Sequence, residues 1–412
     1  MRCLDCPALS SIFAFYISSF LALLAGNATS SYGLIVLTQE ITGSHGLSGM
    51  VFFLNCATPS LITLFAGVLL DQVSIRAAIF YSYLLYGASA FLLSLFVNRL
   101  TDSTFSILLM STSALLNGLA LSVAQPARFA LLGALVSERS IKKATAGLNI
   151  LVILGFTFSP LLVSFLLKKG KWSTVFTVIA ILFAVAAGLL AFVTSSKPQN
   201  YVGFEKKKQS AIRVLLEGVD FARRTPFILN LLLLTIPSLI ILGTIQVLIP
   251  AIGREILALN KEGQAALLTS FGIGLLVGAI GSIGLLSWRY VRSFIALSLP
   301  ILCCLFIASI FTFKHGSSLL SQLLIGVGLI IGAHGNLIPS LLQASTPDRF
   351  RGRVMSMYSL SFNAFPALAA ILVGYLSDSF GPSASIAIVG CGILLGVFVL
   401  LQKVGKSLDI KN

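Results

Sequence analysis

Charge is what this sequence has least of. Asp, Glu, Lys and Arg supply 10% of its 412 residues, where a soluble domain carries about 25%. Hydrophobic residues make up 57% and the mean hydropathy is +1.00. No soluble core absorbs that much apolar side chain, so the lipid bilayer is the expected solvent for most of the chain. The apolar runs are continuous, about 20 residues long, and lack period-2 alternation, which excludes a β-barrel and predicts helices.

Other absences exclude whole classes of function. No G-x-x-x-x-G-K-[ST] loop occurs, and no polar region is large enough to house a nucleotide-binding domain, so intrinsic ATP-driven transport is excluded. Paired carboxylates, a metal-spaced His cluster and a Ser–His constellation are all missing at membrane depth, so an enzyme is not expected, nor a cofactor or metal. The 6 cysteines make no disulfide framework. Cys56, Cys303, Cys304 and Cys391 sit in apolar runs as small packing residues. Cys3 and Cys6 form a C-x-x-C without a second ligand pair. The first apolar run is long enough to span and lacks an A-x-A-like exit, so it is expected to persist as a helix rather than be cleaved.

The net charge of +15 is not a nucleic-acid footprint, because it is distributed by side. With the N-terminus inside, the inner loops and tails hold 21 of the 28 Lys and Arg, and the outer loops 7. That asymmetry predicts both termini in the cytoplasm. Lys168, Lys169 and Lys171 are the local exception, on the outer side.

Twelve spans are predicted. Six run from Ser11 to Leu37, Leu47 to Leu70, Ala77 to Val97, Thr104 to Ala124, Ala146 to Leu167 and Trp172 to Val193. Six more run from Phe227 to Ile249, Ala265 to Leu286, Ser293 to Phe313, Leu319 to Leu342, Val354 to Leu376 and Ser383 to Leu401. The expected organisation is a six-helix half over residues 1–194, a cytoplasmic central loop over 195–226 and a second six-helix half over 227–412. Within the loop, Ile212, Leu215, Leu216 and Val219 have helical spacing, which predicts a short amphipathic helix from Ala211 to Ala222, on the inner membrane surface or as a solvated linker. Weak similarity between the halves, offset by about half the chain, is the pattern of a secondary transporter built from repeats. It relates Gly67, Asp71 and Arg76 to Gly284, Arg289 and Arg292.

Gly67-x-x-x-Asp71 followed by Arg76 stands at the inner end of span two. A glycine there permits close helix approach, and a carboxylate can cap a neighbouring helix or pair with arginine. The stretch resembles the G-x-x-x-D-R-x-G-R-R signature of the major facilitator superfamily, with Gln72 where a basic residue is usual and Ser74 where glycine is usual. Thr346-Pro-Asp348-Arg349-Phe-Arg351-Gly352-Arg353-Val, continuing to Asn363, is similar to a P-x-x-x-R-G-R-V segment of the branch containing the enterobactin exporter and the macrolide efflux proteins. Gln125-Pro-Ala-Arg128, Glu217-Gly-Val-Asp-Phe-Ala-Arg-Arg-Thr-Pro226 and Gly374-x-x-x-Asp378-x-x-Gly381 support that resemblance.

The resemblance implies an all-α integral membrane protein with 12 transmembrane helices in two pseudo-symmetric six-helix halves. It also implies an inner gate of Gly67, Asp71, Arg76, Arg128, Asp348, Arg349, Arg351, Gly352 and Arg353. Many relatives carry an acid in span one where this chain has Asn27, so the usual proton-site carboxylate is missing. Every other charged residue falls in a loop or at a span end, which leaves His334, in span ten, as the candidate proton site. Substrate contact then rests on neutral groups: Asn27, Ser31, Asn55, Asn117, Asn149, Gln246, Asn336 and Asn363. The expected function is secondary active transport of an amphiphilic small molecule across a bacterial inner membrane, by alternating access, with export as the first reading and uptake as the alternative. Its expected partners are that substrate and the lipid bilayer, with no nucleic acid, and it is expected to be a monomer.

Overall fold

A computed structural model describes residues 6–70, 74–99, 104–136, 140–193, 211–287, 291–314 and 316–408. Among these residues there are helices and turns and no strand. The chain forms two compact units, Met1–Gly43 with Leu54–Lys208, and Ser44–Phe53 with Gln209–Asn412.

The first unit opens with α1 (Cys6–Asn27), a π-helical turn (Ala28–Gly33) and α2 (Leu34–Thr42), which together make one continuous span. It continues through α3 (His45–Leu70), whose first residues belong to the second unit, then α4 (Ile75–Phe96), α5 (Thr104–Leu135), α6 (Ile141–Lys169) and α7 (Trp172–Leu189). In this unit α4 packs between α5 and α7, while α1 packs on α6 and α7. The second unit holds α8 (Ala211–Arg224), α9 (Pro226–Glu255), α10 (Lys261–Gly281), α11 (Val291–Ala308), α12 (Ser317–Ser345), α13 (Asp348–Phe380) and α14 (Pro382–Leu408). There α9 touches all five other long helices of its own half, and it is accordingly the most buried span.

Eleven spans among the described residues are long and apolar enough to cross a membrane, and α3, at 26 residues, is the twelfth long helix. Several overshoot the predicted spans. The 32 residues of α5 and 33 of α13 rise about 48–50 Å, well beyond a hydrocarbon core of about 30 Å. Hydropathy marks only the part of a helix that lipid wets, so it stops short where the helix runs on into the interfacial layer. Arg128, expected beyond the end of span four, is therefore inside α5 and buried.

The pattern of burial is that of a protein in lipid. Phe91, Phe192, Leu297, Phe311, Leu395 and Phe398 are exposed, while Ser18, Thr38, Ser89, Asn117, Thr157 and Thr244 are buried. Most of these hydroxyls bond to a carbonyl of their own helix. Thr38, Thr157 and Thr244 each donate to the residue four back, at 2.7–2.9 Å. Such back-bonding lets a polar residue face a dry interior without a partner helix.

Glycines of α10 and α12 meet each other. A side chain at Gly274 or Gly278 would collide with the backbone at Ile325 and Leu329, and one at Gly328 or Gly332 with the backbone at Phe271 and Leu275. Thus α10 and α12 touch backbone to backbone, and only glycine allows that distance. Gly281, Gly284 and Gly335, which follow them in sequence, face open space. Gly243 of α9 seats against Pro366 of α13 in the same way. Gly278→Leu or Gly332→Val is expected to destabilise the second unit by at least about 2 kcal/mol. The measurement is a lowered thermal-denaturation midpoint of purified protein in detergent, with Gly281→Leu as the control that leaves it unchanged.

Candidate functional site

The residues expected to form an inner gate fall into separate groups. Asp71 lies outside the described residues, and Gly67 stands in the last turn of α3. In the first unit, Arg76 donates from Nη1 to the Val193 carbonyl at 2.9 Å, tying the start of α4 to the end of α7 and its 3-10 turn. Arg128 donates from Nε to the Ala124 carbonyl at 3.2 Å and lies beside Tyr83. Arg76 and Arg128 thus brace helices within the first unit.

In the second unit, Asp348 and Arg349 begin α13. Arg351 donates from Nε to the Gln343 carbonyl at 3.1 Å, closing the turn between α12 and α13. Gly352 forms part of the second turn of α13, where its carbonyl accepts from Ser356. Arg353 pairs with Glu217 of α8 at 2.6 Å, and Phe221 of α8 stacks on Phe350 with centroids 4.2 Å apart. Gly218, between them on α8, rests on Arg353 and Met357. The amphipathic helix expected on the membrane surface or as a solvated linker is therefore docked on α13. The reason is local: Glu217, Gly218 and Phe221 fall on one helical face, and that face meets Phe350, Arg353 and Met357.

The neutral polar candidates divide by unit and by what satisfies them. Asn27 donates to the Leu23 carbonyl at 2.8 Å, and its Oδ1 accepts from Ser31 at 3.2 Å. This pair ties the residue before the π-helical turn to one within it, a geometry found often at functional sites, and Tyr32 in that turn has a buried hydroxyl without a partner among the described residues. Asn55 and Asn117 are buried in the first unit, where Gly118 packs on the Asn55 carbonyl and on Thr58. Neither side-chain polar atom of Asn117 has a partner. Asn149, on α6, is exposed. In the second unit Gln246 is buried in α9. Asn336 donates to the Ala279 carbonyl and to Ser282 at 3.2 and 2.9 Å, bonding α12 to α10. Asn363 donates to the Ser359 carbonyl of its own helix at 3.0 Å. Among the described residues, buried side-chain atoms without a partner occur at Ser19, Tyr32, Tyr83, Asn117 and Thr269, while Asn336 is held as a helix tie.

His334 is a tie as well. Its Nδ1 lies 2.8 Å from the Ser238 hydroxyl of α9 and its Nε2 lies 2.7 Å from the Ser298 hydroxyl of α11. A neutral imidazole offers one donor and one acceptor, and a hydroxyl can serve either. The ring therefore joins three helices with both nitrogens satisfied, and among the described residues no charged group is bonded to it. This geometry favours a structural brace over a proton site.

One cluster went unread in the sequence. Ser44, His45 and Gly46 open α3, and the carboxylate of Asp378 at the end of α13 accepts from all three: Ser44 Oγ at 2.6 Å, His45 N–H at 2.7 Å and Gly46 N–H at 3.0 Å. Ser44 Oγ in turn accepts from the Leu47 N–H at 3.1 Å. The first three donors of the helix are thus satisfied, by a serine cap and by a carboxylate placed where the helix dipole favours it. His45, 4% exposed, points Nε2 at Glu255 of α9 at 3.0 Å. The signal was present in Gly374-x-x-x-Asp378, but nothing in sequence spacing links it to residue 45.

Two units of long helices with apolar exteriors and largely back-bonded polar interiors define a polytopic membrane protein. The sequence matches the Major Facilitator Superfamily over residues 15–363, and the chain belongs to that family of membrane transporters; it is not an enzyme. No curated protein sequence matches it. Solved structures show the same fold. A bacterial homologue of the human lysosomal transporter Spinster, inward-facing and unoccupied, is 13% identical, with a TM-score of 0.72 over 96% of this chain and 95% of that one. The nucleoside transporter NupG is 13% identical, with a TM-score of 0.71 over 95% and 98%. A POT family transporter in complex with a thioalcohol-conjugated peptide is 14% identical, with a TM-score of 0.69 over 96% of each.

Two outcomes test these assignments. His334→Ala removes two buried hydrogen bonds and leaves a void, so it should cost about 2–4 kcal/mol of stability, read as a lower denaturation midpoint. In a double-mutant cycle, Glu217→Ala and Arg353→Ala should couple by about 1 kcal/mol, read from the rate of proteolysis at α8. A coupling of zero would mean the pair does not hold α8.

Proposed function

We propose that this protein is a secondary transporter that exports an amphiphilic small molecule, of drug or siderophore type, by alternating access. The supporting observation is the neutrality of the polar groups carried at membrane depth. The first unit carries Asn27, Ser31, Tyr32 and Asn117 around its π-turn and α5, and the second carries Gln246. A sugar phosphate or small ion would call for fixed charge at those positions, whereas amides and hydroxyls among Phe and Leu suit a bulky, weakly polar solute. The resemblance of Thr346–Asn363 to the enterobactin and macrolide efflux branch gives export its priority.

The second reading is inward transport of a nutrient or iron chelate. It draws on relatives of the same fold that include a nucleoside transporter and a POT family transporter holding a peptide. In either reading the membrane is the bacterial cytoplasmic membrane with both termini inside, as the basic excess of the inner loops supports, and the working unit is a monomer. In both readings the inner-gate residues are Asp71, Arg76 and Arg128, with Asp348 to Arg353 in the first turns of α13.

Everted membrane vesicles containing the protein, given a fluorescent amphiphilic dye with and without an imposed proton gradient, separate the readings. Export predicts dye accumulation several-fold above vesicles lacking the protein, reduced by Asn117→Leu. Uptake predicts the opposite sign of flux. No difference across a broad panel of amphiphiles would overturn both.

A further inference from the structure

We propose that His45, together with Glu255 and Asp378, is a proton-binding site that fastens the first turn of α3 to the ends of α9 and α13. The proposal rests on the reading of the chain as a cycling transporter, and it assigns proton binding to a different place from His334. Its basis is geometry in the second unit.

The buried ring lies between two carboxylates. Nε2 is 3.0 Å from Glu255 Oε1, and Nδ1 is 3.5 Å from Asp378 Oδ1 and 2.9 Å from the Ser377 hydroxyl. The charged groups facing it are Glu255 and Arg254 from α9 and Asp378 from α13; Tyr375 of α13 covers Gly46 beside it, and α3 itself carries no charge. Arg254 Nη2 reaches the same Glu255 oxygen at 2.6 Å. With a neutral ring, one positive charge stands against two negative ones. A protonated ring balances them.

Both states can be hydrogen-bonded without rearrangement. In the neutral form Nε2–H donates to Glu255 and the Ser377 hydroxyl donates into Nδ1. In the protonated form Nδ1–H donates instead, to the Ser377 oxygen or to Asp378, and the serine hydroxyl rotates away. A hydroxyl that can turn either way lets a buried imidazole gain or lose its proton without leaving an orphaned atom. His334, braced by two hydroxyls, has that freedom as well but lacks any carboxylate to make the proton matter.

Protonation acts on a joint that has no slack. The backbone of α3 at Gly46 and Gly49 lies directly on α13 at Gly374 and Ala370, with no room for a Cβ at any of the three glycines. Asp378 serves this joint twice, as the cap of α3 and as the imidazole's neighbour. Adding charge to His45 strengthens its attraction to the carboxylate that caps its own helix, so by linkage the fastening is firmest at low pH and loosens as pH rises.

The test is hydrogen–deuterium exchange of residues 44–53 in the full-length protein in lipid nanodiscs. Rates are corrected for intrinsic chemistry and compared at about pH 5.5 and about pH 8. Protection of the first turn should fall about tenfold at the higher pH, the scale of one charge-assisted hydrogen bond. The step should vanish in His45→Gln and shrink in Glu255→Gln, which keeps the shape and an acceptor while removing the charge. A wild type without a step, or an equal step in both variants, overturns the proposal. If His45→Gln fails to fold, Glu255→Gln alone decides. Exchange needs no substrate, so failure of the dye assay leaves this result standing, and failure here leaves the transport reading standing.

Discussion

The constraint on which everything else depends is that the bilayer interior offers no water to a polar group. Each backbone N–H and C=O must be bonded within the chain, and each side-chain hydroxyl or amide carried into the span must bring its own partner or find one. The chain meets the first demand with helices throughout its described residues. It meets the second mainly by back-bonding of Ser and Thr to the preceding turn, and by a few inter-helix ties such as Asn336 on Ser282 and His334 between two serines. Where neither device operates, at Asn117 and the Tyr32 hydroxyl, the orphaned polarity stands out.

The same constraint explains how the helices hold together. Lipid tails are as apolar as leucine, so burial of leucine between helices yields little, and close packing has to supply the attraction. That is why the tightest seams in the second unit run through glycine rather than through large side chains: Gly274 and Gly278 against α12, Gly243 against Pro366, Gly49 and Gly374 at the joint of α3 and α13. Large apolar side chains divide between the exposed exterior, as at Leu297, Phe311 and Phe398, and the packed interior, as at Phe176, Phe183 and Phe271.

Fold was legible in the sequence because lipid imposes it on composition. Continuous apolar runs, the side preference of Lys and Arg and the facilitator signatures lead to twelve long helices without any knowledge of packing. Helix ends were less legible, since hydropathy sees only the lipid-wetted part; α5 running on past Arg128 is the plainest instance. The candidate site was legible as a set of residue types but not as an arrangement. Asn27 and Ser31 could be named, yet the π-helical turn beside them depends on the main chain and leaves no mark in side-chain pattern. His334 could be picked out as the intramembrane histidine, but its two serine partners come from helices 96 and 36 residues away in sequence. Docking of α8 failed to show because an amphipathic face fits a helix as well as it fits a membrane, and only Phe350 and Arg353 in space decide between them.

Charge, scarce in the composition, is spent at helix ends, and that placement has a physical logic. At mid-bilayer an ion costs several kcal/mol, whereas at the boundary it can pair, cap a helix and still be partly hydrated. Glu217 with Arg353 secures α8, Arg351 closes the turn between α12 and α13, and Asp378 with Glu255 and Arg254 gathers around the start of α3. Apart from Arg128 inside α5, the interiors of the long helices are then free to be neutral, close-packed rods. A carrier made this way keeps its strongest and most switchable interactions at the membrane boundary, where solvent protons can reach them. It leaves the depth of the membrane to neutral polar groups such as Asn117 and Gln246.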